Sequence, residues 1–84
     1  MNLNKQNLIN KIIYRAQYRG TKEMDIFVGS FVKSIINSLS INDLEDLNIL
    51  IKMNDEEIIR IIKREKNFKN NKILEDLINF NKKN

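Results

Sequence analysis

Apolar residues recur every three or four positions along almost the whole chain and nowhere alternate strictly, so the elements predicted are helices, despite an Ile content that would also suit strands. Over 3–18, Leu8, Ile9, Ile12, Ile13 and Ala16 share one face while Lys5, Lys11 and Arg15 lie outside it. Gly20 should stop this first helix as a left-handed residue just past its end, and Thr21 should cap a second helix over 22–38. There Met24, Phe27, Val28, Phe31, Ile35 and Leu39 form a continuous apolar stripe, the pattern of a central core helix. Gly29 in its middle costs about 1 kcal/mol relative to Ala, a penalty expected to be offset by the close approach of a neighbouring helix.

Ser40 to Asp43 reads as a cap opening a third helix with Ile41, Leu44, Leu47 and Ile51 inward. Asn54 with Glu57 three residues on is a capping box for a fourth, carried by Ile58, Ile59, Ile61 and Ile62. A polar stretch over 63–71 holds one aromatic, Phe68. It separates these from a fifth helix over about 71–80, with Ile73, Leu74, Leu77 and Ile78 inward and a frayed tail after Phe80. The expectation is an all-α, compact five-helix bundle forming a single domain over 1–84, since a chain of 84 residues has material for one thin core only.

Composition changes the picture by subtraction. The chain has no His, Cys, Trp or Pro and only two Gly. Without His and Cys, the commonest general base, the thiolate nucleophile, disulfides and zinc-finger sites are all excluded. Two isolated Gly cannot build a phosphate-cradling loop. Glu23 and Asp25, two apart on a helix, point away from each other and do not make an acid/base pair. Glu45/Asp46 and Asp55/Glu56/Glu57 lack the alternating oxygen ligands and turn Gly of a calcium loop, and read as a solvated acidic face. Asn, Lys and Ile supply 40 residues, a bias that A/T-rich codons explain, so a lone surface Asn or Lys carries little meaning.

The net charge of +4 is unevenly spread. Residues 1–22 hold five basic groups and no acid, 23–62 are net −5, and 63–84 are net +4. A small basic helical domain could bind nucleic acid, and that alternative is kept. The third and fourth helices oppose it, because their openings carry Asp43, Glu45, Asp46 and Asp55 to Glu57, which phosphate would repel. No apolar run is long enough to span a bilayer and no short apolar region suggests export, so a cytoplasmic location is expected.

The stretch Tyr14-Arg15-Ala16-Gln17-Tyr18-Arg19-Gly20-Thr21-Lys22-Glu23-Met24-Asp25-Ile26 crowds two Tyr, several cations and two carboxylates around one Gly turn. Tyr and Arg dominate interface hot spots. On this reading a protruding corner offers a partner Arg19 on one side and Glu23 on the other. The plainer reading is local: Arg19 suits a helix C-terminus and Glu23 an N-terminus, each by a few tenths to about 1 kcal/mol. Spacing alone leaves both open.

At these residues the sequence resembles the SdhE family, bacterial flavinylation factors related to the mitochondrial succinate dehydrogenase assembly factors. Arg19-Gly20-Thr21-Lys22-Glu23 matches the family's Arg-Gly-x-x-Glu motif, Ile13-Tyr14-Arg15 its lead, and Met24-Asp25-Ile26 its Leu-Asp-Leu. Phe31 and Ser38-Leu39-Ser40 also fit, and the likeness covers about residues 8–62. The chain departs from the family where an Asp-Pro-Asp-like opening and a fourth-helix Trp are replaced by Asp55-Glu56-Glu57 and Ile61. The resemblance implies a non-enzymatic assembly factor that binds the flavoprotein subunit of succinate dehydrogenase, with fumarate reductase as a further candidate, and promotes covalent attachment of FAD to it; a monomer is expected. It implies no stably bound cofactor or metal in this chain. It also places Arg19, Gly20 and Glu23 at the flavoprotein contact, with Tyr14, Arg15, Tyr18 and Asp25 flanking them.

Overall fold

The computed structural model describes residues 3–17, 19–64 and 71–83. Its helices are α1 (Leu3–Ala16), α2 (Lys22–Ile35), α3 (Ile41–Lys52), α4 (Asp55–Arg64) and α5 (Lys72–Lys83), with a 3-10 turn over Ile36–Ser38. Expectations that fall on 65–70, Phe68 among them, lie outside the described residues.

The starts of α2 to α5 are each set by a local side chain. Thr21 and Ser40 accept from the backbone N–H three residues on, Met24 and Asp43, both at 3.2 Å. Asn54 accepts from the Glu57 N–H at 2.9 Å while the Glu57 carboxylate reaches back to the Asn54 N–H at 3.5 Å, so the capping box forms in both directions. Asn71 opens α5 by accepting from the Leu74 N–H at 3.1 Å. Asp55, Glu56 and Glu57 fill the first turn of α4, where the helix dipole favours negative charge.

The core gathers Ile12 and Ala16 of α1, Val28, Phe31 and Val32 of α2, Leu44, Leu47, Leu50 and Ile51 of α3, Ile58 of α4 and Ile73 and Leu77 of α5, with Ile36 and Leu39 from the link after α2. Helix α1 packs on both α2 and α3, and α5 closes the bundle against α3 and α4. Among the described residues no helix is long and apolar enough to cross a membrane.

Five expectations are corrected. Helix α1 ends at Ala16 rather than residue 18, with Gln17 in a turn that donates to the Tyr14 carbonyl at 3.2 Å. The α-helical part of α2 ends at Ile35, where the backbone tightens into the 3-10 turn and Ser38 Oγ donates to the Ile35 carbonyl at 3.0 Å. Helix α5 does not fray after Phe80 but runs to Lys83. The Phe80 ring anchors it between Phe27 and Phe31, with centroids 5.6 and 5.5 Å away and tilted as aromatic pairs prefer.

The two glycines are the remaining corrections. Gly20 does not adopt the left-handed region; its requirement is space, because a Cβ there would lie 3.1 Å from Oδ2 of Asp55. Gly29 has no close helix beside it among the described residues, since a Cβ there would meet nothing within 4 Å.

Candidate functional site

The corner between α1 and α2 is held from below by Arg19, whose side chain is only 6 % exposed. Nε donates to Asp55 Oδ1 at 3.0 Å and Nη2 lies 2.9 Å from the same oxygen. Nη1 donates to the Ile51 carbonyl and Nη2 to the Met53 carbonyl, both at 2.6 Å. These carbonyls stand at the C-terminal end of α3, where a helix leaves acceptors without internal partners and where a cation is favoured by the dipole. Only a planar guanidinium has the fork of donors to satisfy a carboxylate and two carbonyls together. Arg19 therefore ties the first corner to the junction between α3 and α4 across more than thirty positions of sequence.

This revises the protruding-corner reading. The guanidinium of Arg19 is turned into the bundle and does not face outward as expected. Its backbone N–H is engaged too, donating to Asp25 Oδ1, so that the start of α2 closes over the end of α1. Gly20 sits between the two attachments, exposed to solvent, with the Asp55 carboxylate beneath it. Chain direction explains the arrangement. Helix α1 stops at Ala16, and the capped start of α2 at Thr21 then presents its first turn outward.

Glu23 lies in that first turn, exposed, with no hydrogen bond or ion pair among the described residues. On α1, Tyr14 is 64 % exposed and Arg15 is half-buried in the last turn. Tyr18 lies outside the described residues. The structure thus brings Arg19, Gly20 and Asp25 into one bonded unit and leaves Glu23 and Tyr14 on the solvent side of it. What can meet a partner at this corner is the backbone at Gly20, the Glu23 carboxylate and the Tyr14 ring. Arg19 and Asp25 hold that surface in shape.

Sequence reasoning missed Asp55, the acceptor on which the corner rests. Its position directly after a capping Asn identified a helix start, but nothing local paired it with an arginine 36 residues earlier.

Comparison with known proteins places the chain in a family. A family model described as "Sdh5: Flavinator of succinate dehydrogenase" matches residues 10–81. The chain is 33 % identical over 48 residues to the FAD assembly factor SdhE of Acetobacter pasteurianus, covering 57 % of this chain and 44 % of that protein. It is 29 % identical over 55 residues to the mitochondrial succinate dehydrogenase assembly factor 2 of Arabidopsis thaliana, covering 66 % and 29 %, and 33 % identical over 57 residues to that of Dictyostelium discoideum, covering 68 % and 40 %. The matched stretches therefore span less than half the length of these relatives. No solved structure matches the chain significantly. A family match running from the middle of α1 almost to the end of α5 takes in the whole motif-bearing bundle, and the chain belongs to the Sdh5 family of succinate dehydrogenase flavinators.

Proposed function

We propose that this chain is an assembly factor that binds the flavoprotein subunit of succinate dehydrogenase and promotes covalent attachment of FAD to that subunit. The observation that carries the reading is the intact Arg19-Gly20-Thr21-Lys22-Glu23 corner, braced through Asp55, in a chain of the flavinator family. In this role the flavin and the residue that takes it belong to the partner, and this chain supplies binding energy that favours a competent conformation of the partner. A differential affinity of about 1.4 kcal/mol for that conformation raises its population ratio tenfold. The chain needs no catalytic group and no cofactor of its own for this.

The surface offered is narrow. Gly20 lets a partner backbone come close, Glu23 accepts hydrogen bonds or pairs with a cation, and Tyr14 adds an aromatic face; Arg15, Tyr18 and Asp25 flank them. Arg19 contributes through Asp55, by keeping these groups in register. We place the factor in a bacterial cytoplasm as a monomer, in keeping with the bacterial relative and a sequence free of Cys. Fumarate reductase, whose flavoprotein presents similar chemistry, is a second client of the same surface.

Mixing the chain with the unflavinylated flavoprotein subunit and resolving the mixture by size exclusion tests the partner. Co-elution is expected, and a Glu23→Ala variant with unchanged melting temperature elutes apart. Failure of the wild-type chain to co-elute, or undiminished co-elution of the variant, contradicts the reading.

A further inference from the structure

Alongside the corner, α1 and α2 enclose an open groove of about 390 Å³. Ile13 and Ala16 on α1 and Val32 on α2 give it an apolar floor, and Ile26, 60 % exposed, stands on its wall. Gly29 and Ser30 follow Ile26 by one turn, and Lys33 ends the groove one turn later, so the wall is a single stripe of α2.

Gly29 is the informative residue. A glycine in the interior of a helix weakens it, and the usual return is a neighbouring element packed against the bare backbone. Here a Cβ would meet nothing within 4 Å. Among the described residues nothing packs on this glycine, which leaves its bare backbone open to something entering the groove from outside. Beside it, Ile26 leaves a large apolar side chain in water at the wall of the groove.

Two observations select the occupant. Asp25 belongs both to the groove lining and to the bonded corner, so a molecule docked on Gly20 and Glu23 runs directly into the groove. The α2 stripe is also flanked by exposed cations, Lys22 at the corner end and Lys33 at the far end, neither with an ion pair among the described residues. We propose that the groove between α1 and α2 receives an apolar side chain of the flavoprotein subunit, on a segment whose acidic residues meet Lys22 and Lys33. This inference rests on the assembly-factor reading and extends its contact surface from the corner along α2.

The test uses the full chain and the unflavinylated flavoprotein subunit, with affinity measured by calorimetry and folding by thermal melting. Gly29→Ala should raise the melting temperature and, by placing a Cβ where the partner packs, weaken binding about threefold. Gly29→Leu, projecting into open space, should melt no lower than wild type yet bind at least tenfold more weakly. Lys33→Glu should weaken binding by a similar factor at low salt and by less at high salt. Wild-type affinity in both Gly29→Leu and Lys33→Glu overturns the groove while leaving the corner reading intact. Absence of binding by the wild-type chain overturns both.

Discussion

Arg19 and Asp55 form a charge-paired hydrogen bond, Nε to Oδ1 at 3.0 Å, that fastens the first helical corner to the start of α4. The Asp55 side chain is 20 % exposed, so the pair sits at the edge of the bundle with its arginine inside. Removing the arginine leaves a partly buried carboxylate and the Ile51 and Met53 carbonyls without their donor. Arg19→Ala should cost about 2–4 kcal/mol. Arg19→Lys, which keeps the charge but not the fork, should recover less than half of that. Urea melts of the three proteins give the comparison, and equal stability of wild type and Arg19→Ala contradicts the buried placement.

Gly20 should depend on the same carboxylate. A Cβ 3.1 Å from Oδ2 forces Asp55 to shift against the bonds that hold it, so Gly20→Ala should destabilise by about 1 kcal/mol. In an Asp55→Ala background the obstacle is gone and the same change should become neutral or stabilising. A double-mutant cycle by denaturant unfolding reads this coupling directly. Independent, additive effects mean that space beneath Gly20 is not what the position requires.

On α3, Oδ1 of Asn48 is buried with no hydrogen-bond partner among the described residues. Asn48 stands one turn from Leu44 and beside Leu47 on the inward stripe of that helix. Replacing it with Leu, close to it in size, removes an uncompensated polar atom and should stabilise by about 1 kcal/mol. A lower melting temperature for Asn48→Leu contradicts this.

The caps supply a calibration. Ser40→Ala and Asn54→Ala each remove one bond to a free N–H at a helix start, and each should cost about 1 kcal/mol. They open different helices and share no partner, so the double variant should lose the sum to within about 0.5 kcal/mol. Chemical unfolding of the three variants checks both the size and the additivity.

These residues also mark how far the sequence could be read. Thr21, Ser40 and Asn54 were legible as helix starts because each bond closes within three residues. The inward positions of α1 and α5 followed from periodicity for the same reason. Val32 and Leu50 were not read as core, although both are buried, because α2 and α3 are covered on more than one side and periodicity names only the broadest stripe. Arg19 and Gly20 stand together at the corner that the sequence marks, but the contacts that hold them there are not legible in it. An arginine at a helix end looks the same in sequence whether it faces solvent or a carboxylate 36 residues away, and only the tertiary fold brings Asp55 under it. Gly29 shows the converse: the pattern exposes a helix penalty, and among the described residues no neighbour approaches that position to offset it.

Covalent flavin is the most direct readout of the central claim. The unflavinylated flavoprotein subunit is incubated with FAD, with and without this chain, and resolved on a denaturing gel for in-gel flavin fluorescence. The wild-type chain should raise covalent flavin several-fold over the subunit and FAD alone, while Glu23→Ala, folded and equally stable, should leave it near that baseline. Equal fluorescence with and without the wild-type chain contradicts the assignment of this protein as a flavinylation factor.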